Sequence, residues 1–266
     1  MFTAKVKNSR GQTLTLTQNE ADYQVIEIDG LEPPKASINM ATIPYQDGGR
    51  FNGARLEPRN IVIQIRINGD VETNRLQLYD YFQTKEPCTF YYKNGSRDVF
   101  IDGYVENVEC NLFSKGEIAQ ISIICPDPYF KGITQNTVTL SNSSTTTITN
   151  NSDAECGIEI TATITDDPTG LLGYVSRMDF ISGSNEFSVI GQMYKNDVVK
   201  VNTTAGSKSA TLTHNGATES IIGKIVEGSK WIYLAPGTNT VNYSIYGSNK
   251  NTVSVVFKWY TLYRGV

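Results

Sequence analysis

Hydrophobic and polar residues alternate one for one along most of this chain. The clearest case is Arg59-Asn60-Ile61-Val62-Ile63-Gln64-Ile65-Arg66-Ile67-Asn68, where Ile61, Ile63, Ile65 and Ile67 fall on one side and Gln64, Arg66 and Asn68 on the other. A period of two is that of a strand with one dry and one wet face. The same alternation appears at Leu14/Leu16, Val99/Ile101/Val105 and Ile121/Ile123, and Tyr23–Ile28 reads as a strand ending in the Asp29-Gly30 turn. In the second half Ile158/Ile160/Ala162/Ile164, Val241/Tyr243/Ile245 and Val253/Val255/Phe257/Trp259 repeat it. Further strands are expected at 174–181, 187–190, 198–201, 210–213, 221–226 and 231–234, most of them separated by Gly or Asn. Short strands spaced by roughly 8–12 residues are the signature of a sandwich or barrel.

One stretch breaks the rhythm. In Asp70–Thr84 apolar side chains crowd at Leu76, Leu78, Tyr79 and Phe82 with spacings of three and four. Asp70 is placed to cap an N-terminus, Glu72 suits the first turn of a helix, and Pro87 forbids continuation. This predicts one helix lying across a sheet. Between Leu31 and Pro58 lies a different interruption, with turn signals at Pro33-Pro34, Pro44, Asp47-Gly48-Gly49 and Asn52-Gly53, and with 36–43 able to be extended. A connection this long inside a compact domain is usually functional, and it reads as an arm or hairpin reaching outward. Finally, Cys125-Pro126-Asp127-Pro128 stops a strand abruptly, because two prolines cannot serve a central ladder. The domain boundary is expected near 126–136, giving a domain at 1–133 and another at 134–266.

Composition narrows the function. The formal net charge is −4, with no Lys/Arg run; a chain that grips nucleic acid by its phosphates is expected to show a basic face. The N-terminal stretch has no apolar segment of the secretory type, and no run approaches the ~20 apolar residues of a membrane span. Folding in a reducing cytoplasm is therefore expected, with Cys88, Cys110, Cys125 and Cys156 as free, half-buried thiols rather than disulfides. On the same ground the Asn-x-Ser/Thr matches at Asn94, Asn142, Asn202 and Asn242 are compositional accidents.

Catalytic chemistry is poorly supplied. His214 is the single histidine and falls in Thr213-His214-Asn215-Gly216, which reads as an exposed turn. No His/Cys ligand cluster or DxDxDG loop points to a metal, and phosphate-loop and dinucleotide motifs are missing, so no cofactor is expected. Asp166-Asp167 is the obvious carboxylate pair, yet it precedes Pro168 and Gly170 and reads as a turn. No enzyme is expected. Among the aromatics, Trp259 falls on the Val253–Phe257 face and reads as core. Trp231 and Tyr233 share one parity and are either core or the floor of a glycan-facing groove.

At this point the first half becomes recognisable. The ordered set Asp29-Gly30-Leu31 with Pro33-Pro34, Asp47-Gly48-Gly49-Arg50-Phe51-Asn52-Gly53 before Arg59-Asn60-Ile61-Val62-Ile63, Arg75-Leu76-Gln77-Leu78-Tyr79, Ile101-Asp102-Gly103-Tyr104-Val105, Gln120-Ile121-Ser122-Ile123 and Cys125-Pro126-Asp127-Pro128-Tyr129-Phe130 resembles the N-terminal half of the distal tail proteins of siphophages. The resemblance covers roughly residues 1–135; the second half agrees in length, β content and a terminal strand.

What the resemblance implies is a mainly β, two-domain chain: an N-terminal β-sandwich with one helix and an extended arm, and a C-terminal galectin-like β-sandwich without inserted carbohydrate-binding modules. Such proteins form a homo-hexameric ring, single or stacked, at the distal end of the tail. The ring joins the major tail tube protein to a tail-associated hub or fibre protein, with receptor-binding proteins attached outside and DNA passing through the channel unbound. The expected location is the virion, after assembly in the host cytoplasm. A ring needs a heterologous interface that closes on itself, and the arm supplies the candidate residues Tyr45, Asp47, Arg50, Phe51 and Arg55. The alternative function is recognition of host wall polysaccharide through the C-terminal sandwich, with Trp231 and Tyr233 as the contact surface.

Overall fold

The computed structural model describes residues 2–18, 22–45, 47–111, 117–141, 145–165, 174–247 and 253–266. It is mainly β with one α-helix. The chain divides into two compact units, Met1–Ile133 with Tyr263–Val266, and Thr134–Leu262.

The first unit contains β1 (Thr3–Lys7), β2 (Thr13–Leu16), β3 (Tyr23–Asp29), β4 (Ala36–Thr42), β5 (Gly49–Leu56), β6 (Arg59–Ile67), α1 (Val71–Tyr81), β7 (Pro87–Lys93), β8 (Asp98–Cys110), β9 (Ile118–Cys125) and the start of β10 (Phe130–Ser141). Antiparallel pairing follows the path β3-β6-β9-β8-β7-β1-β2. The two ends of this path meet, since Thr17 bridges Gln24 and the Val25 amide donates to the Thr17 carbonyl at 3.0 Å. Inside, the four isoleucines of β6 are buried with Ile121 and Ile123 of β9, Val99 and Ile101 of β8, Phe90 of β7 and Val6 of β1.

Helix α1 begins at Asp70, whose side chain accepts from the Thr73 amide, with Glu72 in the first turn. Leu78 and Phe82, four apart, are its buried contacts, whereas Leu76 is exposed. The apolar crowding therefore overstates the buried stripe, and Tyr81 supplies what Leu76 does not. Its hydroxyl accepts from the Leu14 amide at 2.7 Å and donates to the Val6 carbonyl. The side chain thus ties the helix to β1 and β2. Removing that hydroxyl from water pushes its pKa up to about 12.

In the second unit the elements are β11 (Thr146–Asn150), β12 (Cys156–Gly157), β13 (Glu159–Ile164), β14 (Val175–Ser182), β15 (Asn185–Met193), β16 (Val198–Asn202), β17 (Ser209–His214), β18 (Ala217–Ser220), β19 (Tyr233–Leu234), β20 (Gly237–Gly247) and β21 (Val253–Tyr263). One sheet runs β18-β17-β16-β13-β21 with β10 beside β21, and the other runs β11-β20-β14-β15. A single apolar cluster draws Ile160, Ala162, Phe257 and Trp259 from the first and Phe180, Phe187 and Tyr243 from the second. This two-layer arrangement is what the alternating strands require.

Three expectations need correction. Residues 221–226 are not a strand: Ile222–Lys224 forms a 3-10 turn, with Ile221 buried and Ile222 exposed. The run Ile-Ile-Gly-Lys-Ile-Val is apolar without alternating, so it lacks the pattern of a half-buried strand. Of 231–234 only Tyr233–Leu234 is strand. Among the thiols, Cys88, Cys125 and Cys156 are buried outright and only Cys110 is partly exposed. Among the described helices none is long and apolar enough to cross a membrane.

Candidate functional site

Arg59 organises the region where the sequence motifs meet. It is the first residue of β6 and is buried. Its Nε donates to the Pro128 carbonyl at 2.9 Å, one terminal nitrogen to the carbonyls of Gly30 and Glu32, and the other to that of Arg264. Phe130 lies under the guanidinium at 4.5 Å. Only a planar fork with several donors can serve four carbonyls from three segments at once. Gly30 is required for the same packing. It sits at φ +83°, and a Cβ there would stand 2.0 Å from the Asn60 carbonyl oxygen. The last residues of the chain complete the arrangement, with the Val266 amide donating to the Leu31 carbonyl at 3.0 Å.

This anchor is the root of the outward segment. The Glu57 amide bonds the Lys35 carbonyl at 2.9 Å, and beyond that rung, among the described strands, β4 and β5 pair only with each other. Seven residues of extended β4 reach about 23 Å at ~3.3 Å per residue. The register gives the ribbon two unlike faces. Ala36, Ile38 and Met40 stand opposite Leu56, Ala54 and Phe51, while Ser37 and Ala41 stand opposite Arg55 and Arg50. The register slips between Asn39 and Met40, so that Asn39 pairs with Gly53 and Met40 with Phe51, leaving Asn52 as the extra residue of a bulge.

The apolar face is uncovered. Ile38, Met40 and Phe51 are 58%, 64% and 63% exposed, and Tyr45 at the tip is fully exposed at φ +63°. An isolated two-stranded ribbon is marginal in water, and a contiguous exposed apolar face of this kind marks an interaction surface. Of the residues picked from sequence, Tyr45, Asp47, Arg50, Phe51 and Arg55 all lie exposed on this hairpin, Phe51 on its apolar face and Arg50 and Arg55 on the other. Ile38 and Met40 were missed, although their alternation with Ser37 and Asn39 was the available signal.

The second unit holds the other candidates. Trp231 and Tyr233 are partly exposed rather than fully core; Trp231 packs on Phe187 with ring centroids 4.7 Å apart. Trp259 and Tyr243 are buried, and Tyr243 donates to the Val253 carbonyl at 2.8 Å. His214 is half-exposed at the end of β17, ahead of a turn in which Asn215 and Gly216 both have positive φ. Its Nδ1 lies 2.8 Å from Oδ1 of buried Asp197, and Asn215 Nδ2 lies 2.9 Å from its Nε2. Asp197 also accepts from the Tyr194 amide at 2.8 Å. Both ring nitrogens are thus occupied in clamping adjacent turns, and neither meets a nucleophile. Asp166 and Asp167 lie outside the described residues. Among the described residues no group of three or more His, Cys, Asp or Glu side chains is placed to hold a metal ion.

Residues 9–124 match the family model of the phage tail protein RIFT-related domain. The match lies within the first unit, which is similar to that phage tail domain over most of its length. The matched tail domain contains the whole outward hairpin, α1 and Arg59, while Pro128, Phe130 and Arg264, which complete the Arg59 anchor, lie beyond it. No curated protein sequence matches the chain. Among solved structures, the fold is similar to that of the SPP1 Dit (gp 19.1) protein, described as a paradigm of hub adsorption apparatus in Gram-positive infecting phages, with a TM-score of 0.70 and 19% identity over 97% of this chain and 98% of that one. A chain of the phage P2 baseplate in its activated conformation with Ca is similar at a TM-score of 0.53 and 10% identity, again over 97% and 98%. The same baseplate with Sr gives the same values.

Proposed function

We propose that this chain is a structural hub of a siphophage tail tip, a distal tail protein that closes into a homo-hexameric ring between the tail tube and the baseplate. The observation that carries the reading is the tail-domain hairpin, which presents Ile38, Met40 and Phe51 to solvent on a ribbon with no partner among the described residues. Taking three large side chains from about 60% exposed to buried contributes roughly 3–6 kcal/mol per contact. Repeated around a closed ring, such a contact favours assembly. Residues 1–133 are the ring-forming domain in this reading, and 134–266 a galectin-like sandwich directed outward. The neighbours are the major tail tube protein on one side and a hub or fibre protein on the other, with receptor-binding proteins outside. The modest net charge of −4 suits a channel that DNA crosses without binding. The protein resides at the distal end of the tail after assembly in the host cytoplasm.

Light-scattering mass determination and negative-stain microscopy of the purified chain test this. A six-fold ring with a central hole is expected, and the double variant Met40→Asp/Phe51→Asp is expected to be monomeric with an unchanged circular dichroism spectrum. A chain that is monomeric at all concentrations removes the hub reading. A ring that survives the double variant removes the hairpin as its fastener.

A further inference from the structure

Trp231 and Tyr233 stand two residues apart on the segment entering β19, and one ammonium, that of Lys208, lies within 6 Å of both rings. Behind Trp231 lies Phe187, part of the core, which fixes the indole from one direction. The cross-strand partner of Tyr233 is Gly157, and the space a side chain would fill there is taken by Thr204, 2.4 Å from the ideal Cβ. Thr204 thus packs directly against Gly157. The Lys208 ammonium lies 5.4 Å from the Trp231 ring and 5.6 Å from the Tyr233 ring. Lys208 is exposed, and among the described residues it has no carboxylate partner.

We infer that Lys208, Trp231 and Tyr233 form a binding site for an anionic saccharide. Flat aromatic faces stack on the C–H faces of sugar rings, and an ammonium on a flexible stem reaches a charge at the sugar's edge. The charge of the ligand follows from where Lys208 sits. A neutral sugar has to displace the ammonium from both rings and offers it only hydroxyl acceptors, weaker than a charged group. A ligand with a carboxylate or phosphate draws the ammonium onto its own charge while the rings take the sugar. Uronic acids and phosphate-linked sugar polymers both supply this chemistry, and the site stands whether or not the chain forms a ring.

The chain has two tryptophans, and Trp259 is buried in the core, so a ligand-induced change in tryptophan emission reports Trp231. The full chain is titrated with an oligogalacturonate, with a sugar-phosphate oligomer and with neutral dextran. Saturable quenching by at least one anionic probe is expected, weakened about fivefold by Lys208→Gln and by added salt, with Tyr233→Leu weakening it further. Which anionic probe responds assigns the anion. No saturable change with either anionic probe, an equal response to dextran, or unaltered binding in Lys208→Gln overturns the proposal. Because Lys208 is exposed, its variant folds, which a matching thermal midpoint verifies.

Discussion

Replacing Arg59 by Met should destabilise the first unit more than any other single polar substitution in it. The side chain keeps roughly the same length, so packing over Phe130 is retained while every donor is lost. Four carbonyls then lose this donor: Gly30, Glu32, Pro128 and Arg264. A hydrogen bond from a charged donor contributes about 1.5–3 kcal/mol, and a buried carbonyl left unpaired costs about 1–3 kcal/mol. These values do not add in full, because water reaches some of the freed carbonyls. The variant also no longer buries a charge, a cost visible in the wild type as a guanidinium pKa pulled down by desolvation. The net loss comes to about 3–5 kcal/mol. Hydrogen exchange read by mass spectrometry localises it. Peptides covering β6, β9 and the hairpin root at 30–35 and 57–60 should exchange about a hundred- to a thousandfold faster, at 1.4 kcal/mol per decade. Arg59→Lys should fall between, since one ammonium cannot span three segments. A loss below about 1 kcal/mol for Arg59→Met would refute the reasoning, because it would mean that these carbonyls need no donor.

Other consequences follow from the same packing. Gly30→Ala puts a Cβ 2.0 Å from the Asn60 carbonyl at a positive φ, and should lower stability by more than about 2 kcal/mol, read as a fall in the thermal midpoint. Burial raises Tyr81, Cys88 and Cys125 to about 12 from ordinary values of 10.0, 9.0 and 9.0. A folded-state pKa above the unfolded one means the contribution is whole below pH 9–10 and lost as pH rises toward 12. Urea midpoints should therefore decline across that window, less steeply in Tyr81→Phe. At pH 8 a water-soluble disulfide reagent should titrate Cys110 at once in the native protein, and the buried Cys88, Cys125 and Cys156 only after denaturant is added.

How much of this could be read without coordinates depended on whether the deciding interaction was local. β6 was legible because Ile61, Ile63, Ile65 and Ile67 alternate with polar residues and are all buried. The helix was legible from Asp70, whose capping role is a matter of three residues. Leu76 was misread because crowding at three- and four-residue spacings defines a stripe without saying which rim the sheet covers. The expected boundary is a stretch, 126–136, and not a linker: β10 runs from Phe130 to Ser141 across the division at Ile133/Thr134, and β21 ends at Tyr263, the first residue returned to the first unit. Strands that serve two units leave no linker to be seen. Arg59 shows the limit most clearly. Nothing around it in sequence distinguishes it from the polar residues that follow, and its partners lie 27, 29, 69 and 205 residues away.

The hairpin is the instructive case, since the pattern that predicts it also conceals its use. Ile38 and Met40 alternate with Ser37 and Asn39 as the residues of a half-buried strand do, and by pattern alone they belong to the core. What makes them a surface is that β4 and β5 pair with no other described strand, which is a property of the fold and not of the segment. The same two-faced ribbon in a single chain is an aggregation hazard. It is tolerable where a defined partner covers its apolar face, and the closed ring proposed above supplies one such partner per subunit. On this argument the Arg59 anchor and the apolar face are parts of one device. The anchor fixes the angle at which the ribbon leaves the tail domain, and the angle fixes which neighbour it meets. Arg59→Lys should then change the ring before it unfolds the unit. Under conditions where its thermal midpoint is still well above the assay temperature, the fraction of closed rings by microscopy should fall, with free subunits and open arcs in their place. Rings as complete as the wild type's in that variant would separate the two features and leave Arg59 with a role in stability alone.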